Sequence, residues 1–160
     1  MKNNADDGKL KLCCVASAGG HWEELLCLKD IFEENDSFYI TEETEQVMGS
    51  ALPSIYLVPQ INRHERFFMM HFIRLFKKAF QIMREEKPDV VITTGALIAF
   101  PFCVLAKLSK KKIIFIESFA RINNKSLTGR LVYPFSDLFI VQWKSMLKCY
   151  PKAIYAGGIF

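Results

Sequence analysis

The chain has 160 residues, of which 51% are hydrophobic and 24% are charged. This composition excludes a disordered chain and predicts one globular domain over residues 1–160. The net charge of +4, from 21 Lys and Arg against 17 Asp and Glu, permits an anionic partner but does not require one.

The cysteines indicate reduced thiols rather than a zinc ribbon or a disulfide framework. They are odd in number, lie mostly in apolar runs and form no C-x-x-C pair. The polar start of the chain predicts no signal peptide. The longest apolar run, Ala96–Ala106, contains Pro101 and is too short to span a bilayer. We therefore expect a cytoplasmic protein that does not cross a membrane by itself.

Short β-rich runs alternate with helical patterns, which is typical of β-α-β units around a parallel sheet. The predicted strands are Leu10–Ala16, Ser37–Thr41, Ser54–Val58, Pro88–Thr94, Lys112–Glu117, Asp137–Gln142 and Ala153–Gly158. The predicted helices are Trp22–Glu34, Arg63–Glu86 and Leu97–Ser109. The sequence therefore predicts an α/β fold with a doubly wound parallel sheet.

In such a sheet, ligands bind at the carboxyl ends of the strands. Four segments are predicted to meet there: Ser17–His21, Thr93–Ala96, Glu117–Arg121 and Gln142–Trp143. The fold prediction alone thus brings Gly, His, Glu, Arg and Gln side chains together.

The first of these segments reads SAGGH, with Ser17, Ala18, Gly19 and Gly20 before His21. Its glycines permit close approach of a ligand to the backbone, and the following helix start suits a phosphate. It is neither G-x-G-x-x-G nor a P-loop, so a nicotinamide or ATP-type site fits poorly. A tight turn without a ligand explains the loop equally well.

Two side chains are candidates for acid–base chemistry. His21 suits a phosphate donor or a base near neutral pH, although a histidine at a helix start is often only a cap. Glu117 ends an apolar strand, where a carboxylate without a partner is costly, and Arg121 is one candidate partner. Glu23 and Glu24 are sufficiently explained as partners of the helix dipole.

The long predicted helix has a basic stripe. Arg63, Arg66, Arg74, Lys77, Lys78 and Arg84 fall on one arc of the helical wheel. The opposite side is predicted to pack in the core and comprises Phe68, Phe72, Ile73, Leu75, Phe76, Phe80, Ile82 and Met83. Phe67 and Met70 fall within the basic arc, which favours contact with an anionic membrane surface over a merely solvated face. No DNA- or RNA-binding motif is present, so no nucleic-acid partner is expected.

Four longer stretches resemble one family. They are SAGGHWEELL, KPDVVITTGALIAFP, IIFIESFARINNKSLTGRLVYPFSDLFIVQW and YPKAIYAGG. Together they resemble the PssD/CpsF-type polysaccharide biosynthesis proteins, bacterial relatives of the Alg14 subunit of the eukaryotic GlcNAc transferase. The resemblance extends from about Lys9 to Gly158.

The resemblance implies the Rossmann-like, acceptor-binding N-terminal half of a GT-B glycosyltransferase. A separate partner protein would supply the donor-binding half. The implied reaction is an inverting transfer from a UDP-sugar to undecaprenyl-diphosphate-linked sugar, in capsule or exopolysaccharide assembly. The donor sugar stays open among glucuronic acid, galactose and GlcNAc. Eukaryotic relatives have an N-terminal membrane anchor, and here the basic helix is expected to hold the protein on the inner face of the cell membrane.

The resemblance also implies roles for the strand-end residues. The acceptor diphosphate is expected at Ser17, Ala18, Gly19, Gly20, Thr94, Gly95 and Arg121. His21 is the first choice for the general base and Glu117 the second. Gln142 and Trp143 are expected to contact the partner or a sugar, and neither a metal nor a cofactor is expected.

Two readings without catalysis remain open. In one, the chain recruits and enhances a partner that is active alone. In the other, it is a free-standing domain that binds a phosphorylated small molecule. An oxidoreductase is disfavoured, because the glycine fingerprint and its acidic ribose ligand are not in place.

Overall fold

The computed structural model describes residues 8–44, 54–61 and 66–160. Seven strands in this part of the chain form one parallel sheet. They are β1 (Lys11–Ala16), β2 (Asp36–Glu42), β3 (Ile55–Val58), β4 (Val90–Gly95), β5 (Lys112–Ile116), β6 (Leu138–Val141) and β7 (Ile154–Tyr155). The order is β3-β2-β1-β4-β5-β6-β7, which confirms the doubly wound α/β prediction.

Five α-helices and one 3₁₀ helix are described. The α-helices are α1 (Gly20–Leu26), α2 (Lys29–Glu33), α3 (Phe68–Glu86), α4 (Ala99–Leu108) and α5 (Leu127–Val132). The 3₁₀ helix is Lys144–Lys148. In the described ranges no helix is long and apolar enough to cross a bilayer.

The sheet separates two apolar layers. On one face, α1 and α2 bury a cluster with Trp22, Leu25 and Phe32 at its centre. On the other face, α3, α4 and the segments around β6 bury the larger cluster, which contains Leu75 and Phe102. The chain therefore reverses its winding between β1 and β4, the point where ligands bind in such sheets.

Several predicted elements differ from the observed ones. The single helix Trp22–Glu34 is two helices, because Leu28 N–H bonds the Leu25 carbonyl in a tight turn. Helix α5 and the 3₁₀ helix were not predicted. The last predicted strand is only two residues long. The predicted helix start at Arg63 lies outside the described residues.

Helix α3 also corrects the predicted core. Leu75, Ile82 and Met83 are buried as expected, but Ile73 is 50% and Phe80 is 54% exposed. Each lies near the edge of the helical face that turns away from the sheet. The predicted burial of Ile73 and Phe80 is therefore wrong, because the exposed face of α3 is itself partly apolar.

We expect Glu86, at the end of α3, to make the free energy of unfolding depend on pH. The Lys11 ammonium, and then the Tyr56 hydroxyl, hold the pKa of Glu86 below its ordinary value. A lowered folded-state pKa contributes stability above the unfolded pKa, and this contribution is lost as the pH falls through the folded value. We expect Glu86→Gln to lose about 1 kcal/mol of unfolding free energy at neutral pH, and the gap to wild type to close in acid.

Urea denaturation at pH 7 and near pH 3.5 measures this gap. Glu85→Gln, an exposed neighbour on the same helix, is the matched control and should follow wild type at both pH values. A gap for Glu86→Gln that does not change with pH would contradict the assignment.

Candidate functional site

A polar pocket of about 400 Å³ opens at the carboxyl edge of the sheet. It combines an imidazole, a guanidinium and three hydroxyls. Its lining residues are His21, Ala96, Ser118, Ala120, Arg121, Ser126, Leu127 and Thr128. Since no acidic side chain is among these lining residues, the pocket suits an anionic or hydroxyl-rich ligand.

His21 is held in one orientation by two reciprocal hydrogen bonds. Its Nδ1 lies 2.9 Å from the carbonyl oxygen of Thr94, and the Thr94 hydroxyl donates to the His21 carbonyl at 2.6 Å. A carbonyl only accepts, so Nδ1 must carry a proton. The neutral ring therefore has its lone pair on Nε2, the arrangement that a general base requires.

Gly95 accounts for the close fit of this ring. It has a φ of 115°, and a Cβ there would lie 3.2 Å from the His21 ring. The β1–β4 pairing shifts register so that Ala16 lies beside Gly95. Thr94 and Gly95 were predicted at the diphosphate; in the structure Thr94 bonds His21, Gly95 leaves room for its ring, and neither is among the lining residues.

Glu117 lies beneath the pocket and is 1% exposed. Its Oε1 accepts from the Ser118 N–H at 3.2 Å. Its Oε2 accepts from the Tyr150 hydroxyl at 2.7 Å and from the Ser126 N–H at 3.3 Å. Both oxygens are therefore engaged by the protein, and the carboxylate is not among the lining groups.

Arg121, one candidate partner of Glu117, does not form an ion pair with it. Arg121 is exposed and lines the pocket, whereas neutral donors satisfy Glu117. Among the residues that the structure describes, Arg121 has no ion-pair partner. Its guanidinium is thus available to an anionic ligand.

Tyr150 and Gly129 complete the surroundings of Glu117. Burial, and then the hydrogen bond to Glu117, raise the pKa of the Tyr150 phenol well above its ordinary value. A Cβ at Gly129 would lie 2.6 Å from the Tyr150 hydroxyl and would also collide with the Glu117 carboxylate. Glycine is therefore required in α5 by contact with this buried pair.

Glu24 is a second buried carboxylate, and its interpretation as a dipole partner is wrong. It is 4% exposed and bonds Ser118, Phe119 and Gln142. The spacing in the sequence indicates that Glu24 lies near the site, because a residue three positions after His21 lies on nearly the same face of α1.

Gln142 and Trp143 are occupied within the protein. The Gln142 amide is buried, donates to Glu24 and to the Glu117 carbonyl, and accepts from the Ile159 N–H. Its contact with a sugar or partner stays a prediction, and in the structure its side chain bonds only groups of the protein itself. The Trp143 indole donates to the Phe119 carbonyl at 2.7 Å, and its ring lies against Phe119.

The loop Ser17–Gly20 forms the turn into α1 beside the pocket but is not part of its lining. Gly19 has a φ of 83°, a backbone conformation that glycine adopts without strain. Glu42 accepts from the Ala18 N–H, and burial raises the pKa of Glu42. In place of these loop residues, the structure lines the pocket with Ser126 and Thr128, which the sequence analysis missed.

Solved structures with this fold define the class. The chain superposes on Acinetobacter baumannii MurG with a TM-score of 0.71 and 16% identity, covering 85% of this chain and 42% of that one. With the Staphylococcus aureus MnaA–UDP structure, the TM-score is 0.73 at 15% identity, covering 94% and 44%. The chain thus spans less than half of these proteins, and its fold is that of the N-terminal half of GT-B glycosyltransferases and epimerases.

Sequence comparison identifies the family. Residues 12–159 match the family model described as "Oligosaccharide biosynthesis protein Alg14 like", and the chain belongs to this family. The "UDP-N-acetylglucosamine transferase subunit ALG14" of Rattus norvegicus is 28% identical over 179 residues, covering 94% of this chain and 83% of the relative. The protein of the same name from Kluyveromyces lactis is 54% identical over 46 residues, covering 29% and 20%.

The packing around Glu117 gives a direct test. Gly129→Ala should lower the unfolding free energy by about 1–3 kcal/mol, the usual cost of overpacking a filled site. Gly20→Ala is the control, because a Cβ at Gly20 meets nothing within 4 Å. Chemical denaturation compares the two variants, and an unchanged stability of Gly129→Ala would show that the Glu117–Tyr150 pair is not tightly packed.

Proposed function

We propose that this chain is the acceptor-binding, membrane-associated subunit of a two-component inverting glycosyltransferase. A separate subunit with the donor-binding half of the GT-B fold would bind the UDP-sugar. The observation that carries the proposal is the pocket in which His21, with its proton fixed on Nδ1, lies with Arg121. Family membership supports the reaction class, because relatives have the name UDP-N-acetylglucosamine transferase subunit.

The proposed acceptor is a sugar linked to undecaprenyl diphosphate, used in capsule or exopolysaccharide repeat-unit assembly of the PssD/CpsF type. The names of the relatives make UDP-N-acetylglucosamine the first donor to test. Arg121 matches the acceptor diphosphate, since a guanidinium forms paired hydrogen bonds with phosphate oxygens. The hydroxyls of Ser118, Ser126 and Thr128 suit a sugar or a diphosphate.

His21 would act as the general base. The acceptor hydroxyl attacks the anomeric carbon and transfers its proton to His21 Nε2 as the new C–O bond forms. The bond from that carbon to the UDP oxygen breaks, UDP leaves with the electron pair, and the anomeric configuration inverts. The Thr94 carbonyl at Nδ1 stabilises the resulting imidazolium.

Glu117 takes a different role from the one predicted by resemblance. Because its two oxygens accept from Ser118, Ser126 and Tyr150, we assign it to the support of the pocket floor. It fixes the start of the 118–126 loop and the cap of α5, and Ser126 itself caps that helix by accepting from the Gly129 N–H. Glu117 is thus a positioning residue, and His21 alone is the proposed base.

His21→Asn separates the base from its structural bond. The asparagine amide can still donate to the Thr94 carbonyl but cannot accept the acceptor proton. We expect transfer by the reconstituted pair to fall by about 10²–10⁴-fold, the usual contribution of a general base, with complex formation and thermal stability retained. Transfer kinetics with near wild-type rates would remove His21 from the mechanism.

The membrane contact is proposed for the outward face of α3. This face presents Phe67, Met69, Met70, Ile73 and Phe80, all exposed. Its exposed cations are Arg66, Arg74, Lys77, Lys78 and Arg84. No carboxylate pairs with these five cations in the described part of the chain. Arg63, predicted in the same stripe, lies outside the described residues.

Apolar and cationic side chains share this face, which suits an anionic bilayer surface. Helix α3 follows β3, so its amino-terminal turns lie toward the carboxyl edge of the sheet, where the pocket opens. The proposal therefore places the pocket close to the bilayer, where a lipid-linked acceptor is held. This geometry supports a peripheral location on the inner face of the cell membrane.

Vesicle sedimentation tests the α3 face. The triple variant Phe67→Ser, Lys77→Glu and Lys78→Glu should lose binding to phosphatidylglycerol vesicles by about tenfold or more, since each cation near an anionic surface contributes about 1 kcal/mol. Lys29→Glu with Lys148→Glu is the control: both lysines are exposed and lie away from α3. Equal loss in both variants would indicate general charge attraction and contradict a defined membrane face.

A further inference from the structure

The buried carboxylate of Glu24 joins helix α1 to the loop that follows β5. Its Oε1 accepts from the Ser118 hydroxyl at 2.8 Å and from the Phe119 N–H at 3.2 Å. Its Oε2 accepts from the same N–H at 3.2 Å and from the Gln142 amide at 3.0 Å. Two strand ends therefore meet on one side chain of α1.

The turn that carries Arg121 is built on these bonds. The Ser118 hydroxyl oxygen accepts from the Ala120 N–H at 3.3 Å, and the Arg121 N–H donates to the Ser118 carbonyl at 2.9 Å. The Ala120 and Arg121 N–H groups thus both bond Ser118, whose hydroxyl is anchored to Glu24. Movement at Glu24 would change the path of the chain into Arg121.

Helix α1 carries Glu24 and His21 one turn apart. His21 is fixed to β4 through Thr94, and Glu24 is fixed to the ends of β5 and β6. We propose that Glu24 is a positioning residue, which sets the Ser118–Arg121 turn, and so the Arg121 guanidinium, against His21. Its effect on catalysis rests on the proposed function, whereas its effect on the turn does not.

Both oxygens of the Glu24 carboxylate act as acceptors. The Ser118 hydroxyl, the Phe119 N–H and the Gln142 amide all act as donors toward Glu24, which accepts on both oxygens. A glutamine has one accepting oxygen, and its NH₂ would face either Gln142 or the Ser118 side. Turning the Gln142 amide to accept would break its bonds to the Glu117 carbonyl and the Ile159 N–H. Glu24→Gln therefore either sets two amide NH₂ groups against each other or removes the acceptor of the Ser118 hydroxyl.

The test uses the full chain and two readouts. NMR hydrogen exchange reports the Phe119 and Arg121 amides, and calorimetry measures binding of inorganic diphosphate. In Glu24→Gln we expect these amides to exchange at least about tenfold faster, with Ile92 in β4 unchanged, because only the local turn opens. We expect diphosphate to bind about fivefold more weakly, as when one charged contact is misplaced.

Glu23→Gln is the matched control, since Glu23 is the exposed neighbour of Glu24 in the same helix and should match wild type in both readouts. A cycle with Arg121→Ala separates positioning from general damage. If Glu24 acts through Arg121, the double variant binds diphosphate no more weakly than Arg121→Ala alone. Additive losses, or unchanged exchange in Glu24→Gln, overturn the proposal.

Ser118→Ala removes the hydroxyl that donates to Glu24, so this variant replaces Glu24→Gln in the test if Glu24→Gln does not fold. It should accelerate exchange at Ala120 and Arg121, and unchanged exchange there overturns the proposal. If wild type does not bind diphosphate but the exchange responds, the diphosphate part of the proposed function fails and the positioning role stands. If wild type binds diphosphate and the exchange does not respond, the positioning role fails instead.

Discussion

The site depends on the reciprocal hydrogen bonds between His21 and Thr94 across the point where the sheet reverses its winding. These two bonds attach the start of α1 to the end of β4. The bond to the ring also fixes the tautomer of the neutral imidazole, with its proton on Nδ1. The same contact favours glycine at position 95, because a Cβ there would meet the His21 ring. The placement of Gly95 and the proposed base chemistry therefore follow from one local constraint.

Two buried carboxylates then build the pocket outward from this point. Glu117 supports the cap of α5, and Glu24 supports the turn before Arg121. Both carboxylates accept hydrogen bonds mainly from hydroxyl and backbone N–H groups. Neither carboxylate forms an ion pair with an arginine in the described part of the chain. A buried carboxylate tolerates this arrangement because several hydrogen bonds replace its hydration. Arg121 thus stays available to a ligand.

Much of this was predictable from the sequence. The alternation of apolar strands and amphipathic helices predicts the parallel sheet, and strand ends predict where His21 and Arg121 meet. What single-chain patterns could not supply is side-chain direction at the ends of elements. Gln142 and Glu24 look like accessible polar residues, yet both point inward. The third residue of helix α5 is Gly129, which lowers helix propensity. The contact with Glu117 that requires this glycine joins residues that are separated in sequence.

The most direct measurement is sugar transfer by this chain co-purified with a subunit that carries the donor-binding half of the GT-B fold. UDP-N-acetylglucosamine and other UDP-sugars would be tested against undecaprenyl-diphosphate-linked glucose, with each protein alone and with both together. The split-enzyme account predicts transfer only by the pair. Transfer by the partner alone, merely enhanced by this chain, would contradict it and leave the chain as a membrane scaffold.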